Sequence, residues 1–178
     1  MKKFALILAA ALCCTLSCKK ADNNSQKPEE KPDNTPAYVE FTMTFWGTDD
    51  LVKYADVKVT YNDGTGEKTE TVTTANWVKT VKANLPASFT FERKVTLKPD
   101  VKMDDEQTYS YVNAHLAEYK IFTASGTQIK TGKAGGTGTT SNLKGSKISL
   151  VIEQGLLDAS LTYTIDKDGK CPQTDAPA

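Results

Sequence analysis

The chain has 178 residues, enough for one domain with a sizeable core, and its 22 basic residues balance 22 acidic ones. This formal neutrality gives no electrostatic basis for nucleic-acid binding. One histidine and one arginine are too few for a histidine-based metal cluster or an arginine clamp, so we expect no metal and no cofactor.

The chain begins with the pattern of an export signal. Lys2 and Lys3 precede an apolar run over residues 4–16, and the small residue Ser17 comes directly before Cys18. The run is shorter than the roughly 18 residues that a membrane-spanning helix needs, and the apolar cores of signal peptides have this length. The segment resembles a bacterial lipoprotein signal peptide, which implies that residues 1–17 are removed and that Cys18 is acylated.

Three alternatives to this interpretation stay open. The apolar run could be retained as a membrane helix, or a conventional secretory signal could be cleaved at another position. Cys13 or Cys14 could be the acylated residue in place of Cys18, although neither follows a preferred small residue as Cys18 does. The match to the lipoprotein motif is imperfect, because residues 15–17 are Thr, Leu and Ser and the commonest form has leucine three positions before the cysteine.

Residues 18–36 read as a lipidated cysteine followed by a disordered linker. The segment after Cys18 contains three prolines, many charges and no apolar residue larger than alanine. Such a composition cannot bury enough apolar surface to offset the entropy of ordering the chain. We therefore expect a tether that reaches at most about 60 Å from the membrane.

Residues 37–170 alternate between apolar and polar side chains nearly throughout, which is typical of half-buried strands. An Asn-Asp-Gly-Thr-Gly run at 62–66 predicts a hairpin turn, because these residues tolerate a positive φ. In chain order the alternation predicts strands over residues 39–45, 55–61, 67–74, 78–82, 88–97, 109–122, 147–154 and 159–165.

These segments predict an all-β fold, a single antiparallel β-sandwich of about seven or eight strands, with an open β-barrel as the alternative. The glycine-rich segment 132–139 lacks the residue order of a phosphate-binding loop, and we expect a long mobile hairpin loop there, with a binding loop as the alternative. Residues 171–178 are expected to form a flexible tail. The Cys171 thiol in that tail is expected to be idle or intermolecular.

The segment 109–122 holds the residues best suited to bind a ligand. Val112, Ala114 and Leu116 would face the core, which places four polar or aromatic side chains on the other face: Tyr109, Tyr111, Asn113 and His115. Exposed aromatic rings beside amide and imidazole groups suit sugar rings or other flat ligands. The alternative, which we favour because tyrosine is common in strands, is that the tyrosines pack inside and a neighbouring strand covers His115.

The same segment carries a change of parity. Tyr119 and Ile121 are apolar at odd positions, whereas the proposed core residues before them are at even positions. This shift predicts a β-bulge near residues 117–118, because a bulge inserts one extra residue into a strand.

Candidate catalytic groups are sparse. His115 is the only histidine, and Ser125 and Ser146 lie in ordinary turn sequences. The acids at 104–106 and those at 49–50 could in principle act as the two carboxylates of a glycoside hydrolase across a cleft. Acidic clusters that flank strands are, however, usually solvated loops. We therefore expect no catalytic residues and no enzymatic activity.

Cys18 with its polar linker, and the run from 55 to 99 with its NDG turn, Trp77 and LPASFTFERKVTLKP strand, resemble small Bacteroidota envelope lipoproteins. The resemblance implies an immunoglobulin-like or transthyretin-like sandwich, anchored by lipid to the cell envelope, at the outer membrane. Sandwiches of this appearance bind glycans, proteins or each other, and the resemblance alone does not choose among these roles. From the lipid tether, the sandwich pattern and the lack of an assembled catalytic constellation, we expect a non-enzymatic binding module for glycan or protein. An accessory subunit of an envelope complex or pilus is the alternative, and a hydrolase that uses His115 is a third hypothesis. The side of the membrane stays open.

Overall fold

The computed structural model describes residues 31–47, 50–136, 138 and 140–175. The predicted signal peptide, Cys18 and most of the predicted linker lie outside these residues. The described end of the linker, residues 31–36, has no regular secondary structure and is largely exposed. Within the described part of the chain, no helix has the length and apolar character needed to cross a membrane.

Strands dominate the described residues, and three short helices accompany them. The elements in chain order are β1 (Tyr38–Trp46), α1 (Leu51–Tyr54), β2 (Ala55–Asn62), β3 (Glu67–Val72), β4 (Asn76–Asn84), β5 (Ala87–Leu97), β6 (Thr108–Val112), β7 (Ala114–Phe122), β8 (Gln128–Gly136), β9 (Thr140–Lys144), α2 (Gly145–Glu153), β10 (Ala159–Ile165) and α3 (Pro172–Asp175).

Eight of these strands form two antiparallel four-stranded sheets. The first sheet has the order β4-β1-β7-β8 and the second has the order β10-β5-β2-β3. The predicted all-β sandwich is confirmed, and the sheets are not closed into a barrel. The two further described strands, β6 and β9, pair with each other in a separate ribbon.

The inward faces of the two sheets share one aromatic core. Phe41 of β1 has no exposed surface, and its ring lies 4.6 Å from that of Phe89 and 5.7 Å from that of Phe91, both on β5. The ring of Tyr163 on β10 lies 5.1 Å from Phe41. Alternation in sequence therefore became alternation between core and surface, as strand geometry requires.

A second apolar cluster covers one end of the sandwich. It joins α1, α2 and the β6–β9 ribbon to the ends of β2 and β5, with Ile148 and Ile152 of α2 and Tyr54 of α1 among its buried residues. At the start of α2, a side chain on Gly145 would overlap the backbone of Asp104, so only glycine lets the helix seat this closely.

The prediction of a strand over 147–154 was wrong, because α2 occupies Gly145–Glu153. Ile148 and Ile152 are four residues apart and both are buried, whereas Leu150 between them is 51% exposed. Spacing by four is the period of a helix that buries one face. Three apolar residues at alternate positions fit a strand equally well, so this short window did not distinguish the two.

The predicted strand 109–122 is two strands that belong to different sheets. β6 ends at Val112 and β7 begins at Ala114. Within β7 the odd-numbered residues pair with inward residues of β1, so Leu116, which was expected to face the core, faces outward and His115 faces inward. The pairing of β7 with β1 is regular throughout, and the register shift against β8 lies between Ile121 and Phe122. The predicted bulge near 117–118 was therefore wrong: the apparent change of parity came from placing Leu116 on the core side, whereas the core-facing parity is constant along β7.

The glycine-rich segment is largely strand rather than a loop. Residues 132–136 complete β8, which pairs with β7. Gly132 lies opposite Tyr119, and a β-carbon on it would overlap the tyrosine ring. The buried ring of Tyr119 thus occupies the space that a side chain at position 132 would need.

The expected flexible tail is packed over its first part. Cys171 has no exposed surface and belongs to the aromatic core cluster, and the chain continues into α3. The backbone N–H of Thr164 donates to Oε1 of Gln173 at 3.4 Å, which ties α3 to β10. Residues 171–175 therefore belong to the packed domain.

Glu70 links the two sheets at their shared edge. Its carboxylate on β3 accepts hydrogen bonds from the Tyr61 hydroxyl at 2.5 Å, from Trp77 Nε1 at 2.9 Å and from Lys79 Nζ at 2.5 Å. Trp77 and Lys79 lie on β4 of the first sheet. These bonds stabilise the ionised form and lower the pKa of Glu70 to about 2, with the bond from Lys79 as the largest cause.

We expect this carboxylate to make the fold less stable at acidic pH. A carboxyl group whose folded pKa is depressed stabilises the fold above its unfolded pKa, and the stabilisation is lost as the pH falls from about 4.5 towards 2. Glu70→Gln should therefore reduce the fall in melting temperature over that pH range. Glu67→Gln, at the exposed start of the same strand, is the control. Parallel melting curves for wild type and Glu70→Gln would contradict this role.

Candidate functional site

Tyr109 and Tyr111 lie in the ribbon and pack against the second apolar cluster, where both are half-buried. The ring of Tyr109 meets that of Tyr54 edge-on, with centroids 5.3 Å apart. Its hydroxyl accepts a hydrogen bond from the backbone N–H of Asp104 at 3.0 Å. These two rings serve the packing of the sandwich end.

Asn113 and His115 lie beyond the strand break and are turned towards different neighbours. Asn113 accepts a hydrogen bond from Nη2 of Arg93 and donates one to the carbonyl of Leu156 at 3.1 Å. His115 pairs with Phe45 in the strand register, on the inward-facing side of β7. The four predicted residues therefore do not share one continuous face.

Arg93 is a buried charge at this end of the sandwich. It is 4% exposed, its Nε donates to the carbonyl of Leu157 at 3.0 Å, and its guanidinium carbon lies 5.0 Å from the centre of the Phe45 ring. Desolvation lowers the pKa of Arg93 to about 10, against the opposing effect of Asp158. It remains charged at neutral pH and ties β5 to Asn113 and to the turn before β10.

Burial lowers the pKa of His115, and the positive charge of Arg93 lowers it further. The imidazole is therefore neutral at pH 7. Because it lies on the inward side of β7 beside Phe45, its surroundings are those of a packed residue.

The acidic residues considered for catalysis serve local structure instead. Asp105 accepts a hydrogen bond from the backbone N–H of Ser146 in the first turn of α2, and bonding to Ser146 lowers the pKa of its carboxyl. Asp104 accepts one from the N–H of Glu106 at 2.9 Å. Asp50 pairs with Lys53 at 2.9 Å, and Asp49 lies outside the described residues. Among the described residues, no group of three or more His, Cys, Asp or Glu side chains could hold a metal ion.

The outward face of the first sheet presents a different set of side chains. Trp46 lies there between Asn76 of β4 and Ala114 of β7, and in the next row Thr44 lies between Val78 and Leu116. We call the outward side chains of Trp46, Thr44, Asn76, Val78 and Leu116 the Trp46 face. Val78 is 58% exposed, and Trp46, Thr44 and Leu116 are half-buried.

Rigid strands hold the Trp46 face. β1 is paired on both sides over its whole length, with β4 and with β7, so Trp46 and Thr44 lie on an inner strand. The next row down is polar: the hydroxyls of Thr42 and Thr80 lie 2.8 Å apart. Lys133 pairs with Glu118 in the same row at 2.7 Å, so the charges beside the face cancel.

The other outward surfaces differ from the Trp46 face. At the far end of the first sheet, the rings of Tyr38 and Phe122 stack on each other at 4.9 Å, and Lys82 Nζ lies 3.8 Å from the centre of the Tyr38 ring. The outward positions of the second sheet carry hydroxyl, amide and charged side chains, such as Thr60, Glu92 and Thr162. The Trp46 face thus combines an aromatic ring, aliphatic groups, an amide and a hydroxyl.

Trp46 was detectable in the sequence, although the expected ligand stripe lay elsewhere. It ends the first alternating segment and has the same parity as Glu40, Thr42 and Thr44, which are polar and face outward. An aromatic residue at a strand position that alternation places on the surface indicates an exposed aromatic ring. Its neighbours Asn76, Val78 and Leu116 come from other strands, and only the register brings them together. The chain matches no protein-family model, no curated protein and no solved structure.

Proposed function

We propose that this protein is a lipid-anchored binding module of the bacterial cell envelope, without enzymatic activity of its own. Acylated Cys18 would attach it to a membrane, at the outer membrane if it behaves as the Bacteroidota lipoproteins that it resembles. The Trp46 face would contact a glycan or protein partner. The observation that carries this proposal is the position of Trp46 on the outward side of an inner, doubly paired strand.

The anchor is supported by the first 18 residues and by the linker that follows them. A single acyl chain holds a protein only marginally, whereas two or more make attachment stable. A linker of this length and composition would let the domain reach up to about 60 Å from the anchor. Such an arrangement suits a module that must find a partner near the membrane surface.

The non-enzymatic role is supported by what the candidate catalytic groups do in the fold. His115 lies on the inward side of its strand next to Arg93, and Asp105 bonds the first turn of α2. A hydrolase would need a base and a carboxylate that converge on a substrate. The roles of His115 and Asp105 favour the binding module over the hydrolase.

The anchor is tested by metabolic labelling with an alkyne-tagged fatty acid. Cys18→Ala is expected to lose both the label and membrane attachment, and Cys13→Ala is the matched control that should keep both. Retention of the label by Cys18→Ala would contradict acylation at Cys18.

The binding face is tested in cells with a photo-crosslinking residue in place of Val78, which is 58% exposed on the Trp46 face. The same residue in place of Thr162, exposed on the second sheet, is the control. We expect a discrete adduct, protein or glycan, from position 78. Equal adducts from both positions, or none from position 78, would overturn the assignment of the face.

An accessory subunit of an envelope complex or pilus is the second candidate, and one observation favours it. β4 is nine residues long and lies at an edge of the first sheet, where another strand could pair with it. A stoichiometric partner that co-purifies with the wild-type chain, and is lost in a Thr80→Pro variant, would support it.

A further inference from the structure

We infer that the Trp46 face binds an uncharged glycan, through stacking of a sugar ring on Trp46. This inference rests on the proposed function and names the ligand class for the same face. It follows from three properties of the face: its chemistry, its charge and its size.

The chemistry of the face matches that of a pyranose ring. One side of such a ring presents C–H groups, which pack on an aromatic face, while its rim carries hydroxyl groups that need donors and acceptors. Trp46 supplies the aromatic surface, and Val78 and Leu116 extend it with aliphatic groups. The amide of Asn76 and the hydroxyl of Thr44 offer both donors and acceptors beside the ring.

The charge of the face favours a neutral ligand. The five residues of the face are uncharged, and the nearest charges along the sheet, Glu118 and Lys133, pair with each other at 2.7 Å. An acidic polysaccharide or an anionic lipid surface would need unpaired cations, which this pair does not offer.

The size of the face suits an oligosaccharide. From the spacing of strands and of alternate residues, the five side chains span about 10 Å by 7 Å, which is enough to contact a few sugar rings. Paired strands hold these side chains in place before a ligand arrives.

The test measures binding of soluble oligosaccharides to the full chain, extracted in detergent, by calorimetry. The probes are neutral hexasaccharides of beta-linked glucose and of alpha-linked mannose, and an acidic hexasaccharide of galacturonic acid. We expect at least one neutral probe to bind with a dissociation constant of about 1 mM or lower and the acidic probe to bind at least about tenfold more weakly.

Trp46→Ala is expected to weaken binding of the neutral probe by about tenfold or more, which corresponds to about 1.4 kcal/mol. Tyr38→Ala is the matched control, because Tyr38 is an aromatic residue on the same strand and the same face, at the far end. Its affinity should change by less than about twofold. Should Trp46→Ala fail to fold, Thr44→Arg places a bulky charge in the centre of the face and should abolish binding.

The outcomes separate this inference from the proposed function. Binding that is unchanged by both Trp46→Ala and Thr44→Arg, or no binding of either neutral probe, overturns the glycan inference. If a protein is then crosslinked at position 78, the binding module stands with a protein partner. If position 78 also yields no adduct, the proposed function fails as well.

Discussion

Phe41→Ala is expected to destabilise the domain by about 3–5 kcal/mol, the range for removing a fully buried phenylalanine. The ring has no exposed surface and contacts the rings of Phe89, Phe91 and Tyr163 from the opposite sheet. Its loss leaves a cavity between the sheets that these rings cannot easily fill. Because domains of this size are stable by only about 5–15 kcal/mol, one such change removes a large fraction of the total.

Urea denaturation followed by tryptophan fluorescence measures this effect. Phe122→Ala is the matched control, because the same side chain is deleted from the outward face, where Phe122 is half-buried against Tyr38. Its cost should be less than half that of Phe41→Ala. Equal costs for the two variants would mean that the aromatic core does not dominate the stability of the sandwich.

Asn113→Ala is expected to destabilise the fold more than Arg93→Met does, although the arginine is the larger and more buried residue. Asn113 accepts a hydrogen bond from the buried guanidinium, and such a bond to a charged group contributes about 1.5–3 kcal/mol. We expect the lower end of that range, since Asn113 itself is exposed and water can approach. Removing it leaves the charge of Arg93 buried with fewer partners.

Arg93→Met removes the buried charge together with its desolvation cost, and a long apolar side chain can pack against Phe45. Its effect on the free energy of unfolding is expected to lie within about 1 kcal/mol of zero. In the double variant, Asn113→Ala should cost less than it does alone, because no charge is left to be satisfied. Denaturation of all four proteins checks this, and additive effects would contradict coupling between the two residues.

Much of the fold could be predicted because the strands are amphipathic. β1, β2 and β10 match the alternating segments to within one residue at each end, since period-two burial leaves a direct mark on sequence. The turn at 62–66 was equally predictable from the sequence. Gly64 and Gly66 both adopt positive φ, at 86° and 140°, and few other residues accept that conformation.

The candidate site was predicted less well, because the even-numbered apolar residues at 112–116 were assigned to the core, whereas Leu116 faces outward and His115 faces inward. Treating 109–122 as one strand placed Tyr109 and His115 on a common face, whereas Asn113 separates β6 from β7 and each strand has its own orientation. The signal at Trp46 was present but isolated, since its partners on the face are Asn76 and Leu116, which come from distant parts of the chain.

The sequence by itself determined that the domain is an antiparallel all-β sandwich, because alternating burial and turn chemistry are local properties that each segment carries alone. Only the tertiary structure decided that 145–153 is a helix, that Gly132 lies opposite Tyr119, and that Arg93 is buried against Asn113. Those outcomes depend on which elements contact each other. The local sequence of these segments fits a helix as well as a strand, or a loop as well as a sheet, and contacts with distant segments decide between them. The Trp46 face is of the same kind: strand register, set by the packed core, assembles side chains that no single segment contains.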